Sequence, residues 1–328
     1  MKIPMRKRLL AIPMALVVAF GGFDVASAAD PFPNKPIRII VTSAPGGSVD
    51  VTTRVVAKEM GDRLGQPVIV ENRVGAGGLV GIRSAKTSPA DGYTLLASVN
   101  TIAVQQAVSR DPGYDVGKDF VGIGPMTRSQ FLLIAAPGGP DKTLPEWLAR
   151  ARSNPATLTY ASAGNGSTTH LAAAMFAHRA GVNLTHVPYK GNSAAWPDLI
   201  AGRVGLLMEA YGSASAMLKS GQLKALGSSG TTRLELLPDV PTIAEQGAPG
   251  YSFYLWMGLF APAGTPKDVV HKLSDALAFA MAKPELKKRF REEGSEVMTM
   301  SSDEFTRFVR DEASSLTKLV NDLQLPRE

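Results

Sequence analysis

The sequence predicts an α/β protein made of two lobes, each of ordinary domain size at about 100 residues. Three observations support this class. Apolar strands alternate with helices whose apolar residues recur at helical spacing, the order strand, glycine-rich turn, helix appears after Pro36 and again from Leu158, and Pro-rich connectors follow the second set. Strands that alternate with helices imply a parallel sheet with helices on both faces.

Composition excludes several classes of protein. The 328 residues include 45% apolar side chains, 35 basic and 29 acidic residues, and no cysteine. The length is sufficient for two domains with their own cores. Without cysteine the chain has no disulfide, no thiolate metal site or iron–sulfur cluster, no cysteine nucleophile and no lipid-modified cysteine.

Residues 1–29 are predicted to be a secretory signal peptide. Lys2 and three basic residues at 6–8 precede a mainly apolar run over 9–23, and Ala26-Ser27-Ala28 supplies a small-residue cleavage pattern. A membrane anchor is the alternative, but the run is shorter than the about 20 residues that span a bilayer and contains Pro13. We predict cleavage near Ala28 or Ala29 and export to the periplasm.

The net charge of the mature chain is low. Removal of the signal peptide takes away four basic residues and Asp24, which leaves 31 basic and 28 acidic residues and a net charge of +3, against +6 for the full chain. The sequence has no stripe of Lys and Arg interleaved with aromatic residues, so nucleic acid is not an expected partner. A preference for an anion must then come from local geometry.

The first lobe is predicted over residues 30–128. IRIIV is an apolar strand, SAPGGSVD is a Pro/Gly turn, and a helix with apolar residues at helical spacing follows. VIVENR, YTLLAS and VGIGPM are further strands, and GAGGLVG is a glycine-rich turn that opens a helix.

The second lobe is predicted over residues 129–230. The chain enters it around residues 127–131 through FLLIAAP, repeats the order in LTYASAGNGSTTHLAAAMFAH, and adds strands at THVPYKG, VGLLMEA and LKALGSS. It is predicted to return around residues 231–241, which include the Pro-rich LPDVPT. Residues 231–328 would then complete the first lobe with a helix capped by Thr265 and a last helix from Ser301 or Ser302.

Two glycine-rich turns are the candidate functional elements, SAPGGSVD at 43–50 and SAGNGSTTH at 162–170. Each follows the carboxyl end of a strand, where open α/β sheets bind ligands. A helix start leaves backbone N–H groups unpaired and partly positive, and glycine lets a ligand approach them. Two such turns on facing lobes predict a receptor for a carboxylate, although ordinary strand-to-helix turns share the pattern. The predicted backbone groups and hydroxyls are those of Ala44, Gly46, Gly47, Ala163, Gly164, Ser167 and Thr168.

Five further residues are candidates with two interpretations each. Asp50 either contacts the ligand or caps its helix, with ordering of the site as a by-product of the cap. His170 either donates to an anion or packs as a satisfied histidine. Ser98 ends the YTLLAS strand and Thr101 follows it, and these two residues either line the cleft or have no role in it. Glu209, at the end of VGLLMEA, either receives a ligand ammonium or hydroxyl group or pairs with a cation of the chain.

No enzyme or cofactor signature is present in the sequence. Gly75, Gly77 and Gly81 resemble a dinucleotide fingerprint, but no acidic residue ends a strand about twenty residues later to hold a ribose. G-x-S-x-G, the phosphate-binding P-loop and H-E-x-x-H do not occur. His170, His178 and His186 are spaced by eight, which is poorly suited to a shared metal. We expect no cofactor, no metal and no catalytic residue.

Nine motifs run in order along essentially the whole mature chain: FPNKPIRIIV, APGGSVD, LGQPVIVENRVGAGG, SPADGYTLLAS, YDVGKDF, ASAGNGSTTHLA, VPYKGN, LPDVPTIAEQG and LFAPAGTP. Their order and spacing resemble those of the Bug proteins, the periplasmic solute-binding receptors of tripartite tricarboxylate transporters. The resemblance implies a type II periplasmic-binding-protein fold, in which two lobes joined by two crossover segments close on a small carboxylate.

The resemblance also implies site residues, because the family holds one carboxylate between the two turns, largely through backbone amides and bridging waters. The residues implied in the turns are Ala44, Pro45, Gly46, Gly47, Asp50, Ser162, Ala163, Gly164, Ser167 and His170. The residues implied to meet the rest of the ligand are Ser98, Thr101, Met126 and Glu209. Ser43, where the family often has an aromatic residue, and AVQQ, where it often has Asn-Pro, leave room for a ligand other than the common dicarboxylates.

We therefore expect a monomeric, non-enzymatic receptor that closes on an organic acid and delivers it to the membrane subunits of a transporter. A secreted hydrolase or isomerase that uses the same cleft is one alternative. A sensor protein that presents the ligand to a membrane regulator is the other.

Overall fold

The computed structural model describes residues 1, 32–154, 158–322, 324 and 327, so the predicted signal peptide lies outside the described residues. The strands are β1 (Ile37–Val41), β2 (Val68–Asn72), β3 (Thr94–Val99), β4 (Phe120–Ala135), β5 (Thr159–Ser162), β6 (Thr185–Pro188), β7 (Leu206–Ala210), β8 (Lys224–Ser228), β9 (Tyr254–Pro262) and β10 (Ser295–Val297).

The helices are α1 (Ser48–Leu64), α2 (Leu79–Lys86), α3 (Thr101–Val108), α4 (Val116–Asp119), α5 (Leu144–Ser153), α6 (Thr168–Ala180), α7 (Asn192–Ile200), α8 (Tyr211–Lys219), α9 (Lys267–Ala282), α10 (Pro284–Glu292) and α11 (Ser302–Asp322), with 3-10 turns at Ala76–Gly78 and Ala244–Gln246. In the part of the chain that the structure describes, no helix is both long and apolar enough to cross a membrane.

The strands form two lobes that share β4. The order of the strands is β2-β1-β3-β9-β4-β7-β5-β6, with β8 and β10 also paired to β4. In the first lobe β1 pairs in parallel with β2 and β3, and in the second β5 pairs in parallel with β6 and β7. This arrangement confirms the predicted α/β class with two lobes.

Two features of the sheet differ from the prediction. Residues 120–135 form one strand of 16 residues rather than two strands, so that β4 itself carries the chain between lobes. β9 lies between β3 and β4 and is antiparallel to both, which makes the sheet mixed rather than parallel. It was not predicted because both of its faces are buried and its sequence lacks a period.

The chain returns to the first lobe later than the predicted segment 231–241. Leu234 packs in the core of the second lobe with Leu132 and Ile134, and Ser228 forms a bridge with Thr242. Pairing with β4 in the first lobe resumes only at Tyr254. The Pro-rich stretch is therefore part of the surface of the second lobe.

The core consists of three clusters that divide by face. One contains α1 and α9 against the first lobe, and one contains α7 and α8 against the second. The third is continuous across both lobes and contains residues of α3, α11, α5 and α6. The lobes are thus packed together on the α3 and α6 side, and an opening between them is expected on the α1 and α8 side.

The predicted starts of the last two long helices are confirmed with one change in capping. The hydroxyl of Thr265 donates to Pro262 O at 2.8 Å instead of capping α9. At α11, Ser301 and Glu304 bond each other reciprocally, Ser301 N to Glu304 Oε2 at 2.8 Å and Glu304 N to Ser301 Oγ at 3.3 Å. This reciprocal pair is a capping box.

Ser229 fastens the two crossovers to each other. Its hydroxyl accepts from Phe131 N at 2.8 Å and donates to Phe253 O at 2.5 Å, and its own N–H and C=O bond the same two residues. Ser229 is fully buried, as is its neighbour Ser228. The hydroxyl of Ser228, in contrast, has no hydrogen-bond partner among the described residues.

These adjacent serines give a matched test of the crossover. Ser229→Ala leaves a buried N–H and a buried C=O unpaired, so we expect the free energy of unfolding to fall by about 2–4 kcal/mol. Ser228→Ala removes a buried hydroxyl that bonds nothing and should leave stability unchanged or slightly higher. Urea denaturation of both variants measures the difference, and equal stabilities would contradict this role for Ser229.

Candidate functional site

The second glycine-rich turn and the start of α6 lie against the first lobe, beside α3 and the turn at 75–78. A Cβ atom built on Gly78 would lie 3.2 Å from Thr101 Cγ2 and 3.5 Å from Thr42 Cβ, so the end of β1, the turn before α2 and the start of α3 meet there. Thr101 Oγ1 in turn lies 3.3 Å from Thr168 Oγ1, at the start of α6. The carboxyl ends of β1 and β3 therefore face the carboxyl end of β5, as open α/β sheets arrange a ligand crevice.

Asp50 holds the first turn in place. Its carboxylate accepts from Gly46 N at 2.9 Å, from Asn72 Nδ2 at 2.8 Å and from the guanidinium of Arg54. Hydrogen bonds from Arg54, followed by those from Gly46 and Asn72, lower the pKa of the Asp50 carboxyl to about 2, against the effect of burial. Gly46 has a φ of +80°, a region that favours glycine. With its acceptors filled by the chain, Asp50 orders the turn.

The second turn is held by side chains of its own helix and of β5. Ser162 Oγ accepts from Gly164 N at 3.1 Å, and Thr169 Oγ1 accepts from Ala163 N at 3.0 Å. Ser167 is the N-cap of α6, because its hydroxyl accepts from His170 N at 3.2 Å. Gly164 has a φ of +126°, which only glycine adopts readily.

The unpaired backbone donors differ in part from those that the sequence predicted. The N–H groups of Gly46, Ala163 and Gly164 bond side chains of the two turns, and that of Gly47 bonds Ala44 O. Ala44, whose own N–H has no partner among the described residues, is exposed with Pro45 and Gly46 at the tip of the first turn. At the two helix starts, the N–H groups of Ser48, Val49 and Asp50 in α1 and of Thr168 and Thr169 in α6 also have no partner in the described part of the chain.

A cavity of about 280 Å³ lies between α1 and α8, on the side where an opening between the lobes is expected. It reaches from the first two turns of α1 to the start of α8, over a floor made by the two crossovers. The residues that line it are Ser48, Val51, Thr52, Ser129, Ala210, Gly212, Ser213, Leu255, Met257, Glu293 and Ser295. None of these residues was predicted, although Ser48 follows the predicted Gly47 and Ala210 follows the predicted Glu209.

The four residues implied to meet the rest of the ligand lie in different environments. Thr101 is half-buried beside Thr168, which begins α6. Ser98 is fully buried in β3, and its hydroxyl donates to Val99 O at 2.9 Å. Met126 is fully buried in the cluster under α9, away from the cleft. These placements do not support direct ligand contact by Ser98 or Met126.

Glu209 is bonded by its own chain. Its carboxylate accepts from Ala210 N at 2.9 Å and from Trp196 Nε1 at 3.3 Å. Burial raises its pKa, while hydrogen bonds from Ala210, Asn192, Trp196 and Ser213 oppose that rise. Its partners are thus amide, indole and hydroxyl groups rather than the cation that the sequence suggested.

Three asparagines that the sequence analysis missed connect the elements of the site. Asn72 bonds Asp50 and also donates to Ser43 O at 3.0 Å. Asn100 is fully buried and donates to Tyr254 O at 3.1 Å, while Asn192 donates to Met208 O at 3.0 Å. Each lies at or just after the end of a strand or at a helix start, which is the one sequence signal that could have found them.

The described residues hold no cluster of three His, Asp or Glu side chains suited to a metal ion. His170 and His186 do approach each other, but as stacked rings with centroids 3.9 Å apart.

Solved structures with the same fold are periplasmic binding proteins. BugD superposes with a TM-score of 0.81 at 30% identity, covering 90% of this chain and 100% of that chain. An R. palustris protein with adipate superposes at 0.82 and 30% identity, covering 89% and 98%. MatC from Rhodopseudomonas palustris with bound malate superposes at 0.80 and 30% identity, covering 88% and 100%. The fold and the facing turns define a receptor of the periplasmic-binding-protein class.

The chain belongs to the TctC family, the tripartite tricarboxylate transporter family receptors, whose model matches residues 52–325. Among curated relatives, BugT of Bordetella pertussis is 32% identical over 317 residues, which cover 96% of this chain and 97% of BugT. This membership confirms the Bug resemblance and the two-lobed receptor fold. The family consists of receptors, so it supports binding and transport rather than catalysis.

The Asp50 network predicts a specific loss of stability. Asp50→Asn should lower the free energy of unfolding by about 1–2 kcal/mol at pH 7, because charge-assisted bonds to Arg54 and Gly46 are lost. Since the pKa falls from 3.8 to about 2 on folding, this stabilisation is complete above pH 3.8 and is lost as the pH falls toward 2. The difference in the free energy of unfolding between the wild type and Asp50→Asn should therefore become smaller as the pH falls from 3.8 toward 2.

Urea denaturation at a series of pH values measures this effect. Asp62→Asn is the control on the same helix, because Asp62 is exposed and pairs with Lys58 at the surface, where an ion pair contributes little to stability. Equal losses for the two variants would contradict the structural role of Asp50.

Proposed function

We propose that this protein captures a small organic carboxylate between its two lobes, closes on it, and delivers it to the membrane subunits of a tripartite transporter. The proposal is supported by the unpaired amides at the starts of α1 and α6, and by the contact of Thr101 with Thr168, which brings the start of α6 against the first lobe. Helix N-termini attract anions because their N–H groups are free and partly positive. The adipate and malate in the two R. palustris structures support a small acid as ligand.

Backbone amides alone can supply the free energy of micromolar binding, without an arginine in the site. Hydrogen bonds from backbone amides to a carboxylate contribute about 1.5–3 kcal/mol each. Three or four of them, less the costs of association and closure, supply the roughly 8 kcal/mol of micromolar binding. The cavity of about 280 Å³ beside α1 and α8 suits the remainder of a small metabolite.

Closure requires that the lobes move about the crossovers. We infer a first crossing near residues 128–129, as the sequence predicted, and a second crossing near Tyr254 instead of the predicted limit at residues 230–231. Gln130 pairs with Tyr254 in the first lobe, while the next residue, Phe131, pairs with Ala210 in the second, so the change of partner falls between consecutive residues. A ligand that bonds both lobes favours the closed state by the contacts that only that state makes.

The same proposal places the mature protein in the periplasm, as a monomer that does not bind nucleic acid. Both turns belong to one chain, so a site needs no second copy, and the mature net charge of +3 is low. Cleavage of the signal peptide near Ala28 or Ala29 is proposed from the sequence, and the intact mass of the exported protein would locate the new N-terminus.

A charge placed at either helix start tests whether both turns hold the ligand. A thermal-shift screen of dicarboxylates, tricarboxylates, aromatic acids and amino acids first identifies the ligand. Ser48→Asp and Ser167→Asp should each weaken its binding at least about hundredfold, because each puts a carboxylate where the ligand carboxylate is proposed to sit. Calorimetric titration measures the affinities.

The matched controls are Ser48→Asn and Ser167→Asn. Ser167 is the N-cap of α6, where asparagine and aspartate are equally good caps, and Ser48 is exposed at the first position of α1 after the N-cap Gly47, so the two members of each pair should fold with similar stability. The uncharged variants should bind far more tightly than their charged partners. If an Asp variant binds as well as its Asn partner, that turn does not hold the carboxylate.

A further inference from the structure

Three rings are stacked beneath the second turn. His170 of α6 and His186 of β6 lie with ring centroids 3.9 Å apart and planes inclined by only 4°. Tyr160 of β5 continues the stack at 4.9 Å from His186 and 19°. Tyr160 and His186 are directly opposite in the parallel pairing of β5 with β6, so they share the sheet face that α6 covers.

Each imidazole bonds one end of the turn at 162–167. His170 Nδ1 accepts from Gly166 N at 3.2 Å. His186 Nε2 lies 2.7 Å from Ser162 Oγ, the hydroxyl that also accepts from Gly164 N. A nitrogen that accepts a hydrogen bond carries no proton, so this geometry requires His170 to be neutral with its proton on Nε2.

The stack has no anionic partner among the described residues, although Ser162 Oγ, which donates to Gly164 O at 3.0 Å, is placed to accept from His186 Nε2. Burial lowers the pKa of His170, and burial together with the neighbouring His170 lowers the pKa of His186 to about 4. No carboxylate bonds either ring among the described residues. The charged or titratable groups of the adjoining elements are Tyr160 on β5, His178 and Arg179 in the last turn of α6, Glu209 on β7, bonded by Trp196 and Ala210, and Asp198 on α7, bonded by Tyr189 and Arg203.

We propose that His170, stacked on His186, is a positioning residue that holds the ligand turn in its binding conformation only while its own ring is neutral, so that mild acid loosens the turn and weakens carboxylate binding. This inference rests on the proposed function of the turn. Protonation of His170 removes the acceptor for Gly166, and protonation of both rings places like charges 3.9 Å apart.

The direction of the pH dependence follows from linkage. A histidine in a loosened turn titrates near its ordinary pKa of 6.5, whereas burial lowers the pKa of His170 in the ordered turn. The stabilisation of the ordered turn is therefore complete above pH 6.5 and is lost as the pH falls through the lowered pKa of His170. At pH 5 the loss from one such ring reaches at most about thirtyfold in the equilibrium.

Amide hydrogen exchange of the ligand-free protein tests this without knowledge of the ligand. After correction for intrinsic exchange rates, the protection factors of residues 162–170 should fall about tenfold between pH 7.5 and pH 5. Residues 42–50, the first turn, are the internal reference and should keep their protection, since Asp50 titrates at about 2. Equal protection of the second turn at both pH values would overturn the inference.

A role in positioning the turn can be distinguished from a role in packing by substitutions that keep the hydrogen bonds but cannot titrate. The double variant His170→Asn and His186→Gln places an amide oxygen or nitrogen near the Nδ1 and Nε2 positions. Its protection of residues 162–170 should not fall in acid. His178→Gln, at an exposed position on the same helix, should retain the acid sensitivity of the wild type. A double variant that stays as acid-sensitive as the wild type would also overturn the inference.

Binding supplies the second readout, with malate and adipate as the probes. For each protein the ratio of Kd at pH 5 to Kd at pH 7.5 is measured, and protonation of the probe itself affects all variants equally. The ratio should be about tenfold larger for the wild type than for the double variant, and equal ratios would contradict the inference. If neither probe binds at pH 7.5, the proposed ligand class is at fault, while hydrogen exchange still decides the role of His170.

Discussion

The structure depends on a property of helix starts: the first backbone N–H groups of a helix have no partner within it. In α1 and α6 these groups include those of Ser48, Val49, Asp50, Thr168 and Thr169, and we propose that closure of the lobes brings both helix starts to one ligand. The amides of Gly46, Ala163 and Gly164 in the preceding turns are bonded by the side chains of Asp50, Thr169 and Ser162, respectively. The glycine turns thus act as rigid supports, and the helices behind them supply the donors.

That division of roles explains why buried polar side chains surround the site. Asn72, Asp50 and Arg54 fix one turn, while Ser162 and the stacked histidines fix the other. Preorganised donors lose little entropy on binding, so neutral amides can suffice where a flexible lysine would need to be ordered. The crossovers, in contrast, must let the lobes move relative to each other. Ser229 ties β4 to the segment before β9, and the strand that pairs with β4 changes between Gln130 and Phe131. Stiff turns on lobes joined at a narrow junction permit closure without deformation of the site.

Much of this arrangement could be predicted from the sequence, and the remainder has identifiable causes. The spacing of apolar residues in the strands and helices predicts where both turns lie, and the nine ordered motifs indicate the family. β9 escaped prediction because a strand buried on both faces has no alternation. Met126 was implied in the site by the family resemblance, whereas its side chain is buried in the cluster under α9. The unpaired amides of the two helices lie a few residues after the predicted ones. The side chains that bond the amides of the turns are positioned by the tertiary structure, which the sequence pattern does not reveal. Asn100 and Asn192 gave no signal that separates a buried asparagine from a surface one.

The central claim is that one carboxylate bonds to both helix starts when the lobes close, and a crystal structure of the protein with its identified acid tests it most directly. The account predicts one carboxylate group within hydrogen-bond reach, about 3 Å directly or through one water, of amides from both α1 and α6. The rest of the ligand should extend into the cavity beside Ser48 and Ser213. A ligand carboxylate held by residues of a single lobe, or an acid bound away from both turns, would contradict it.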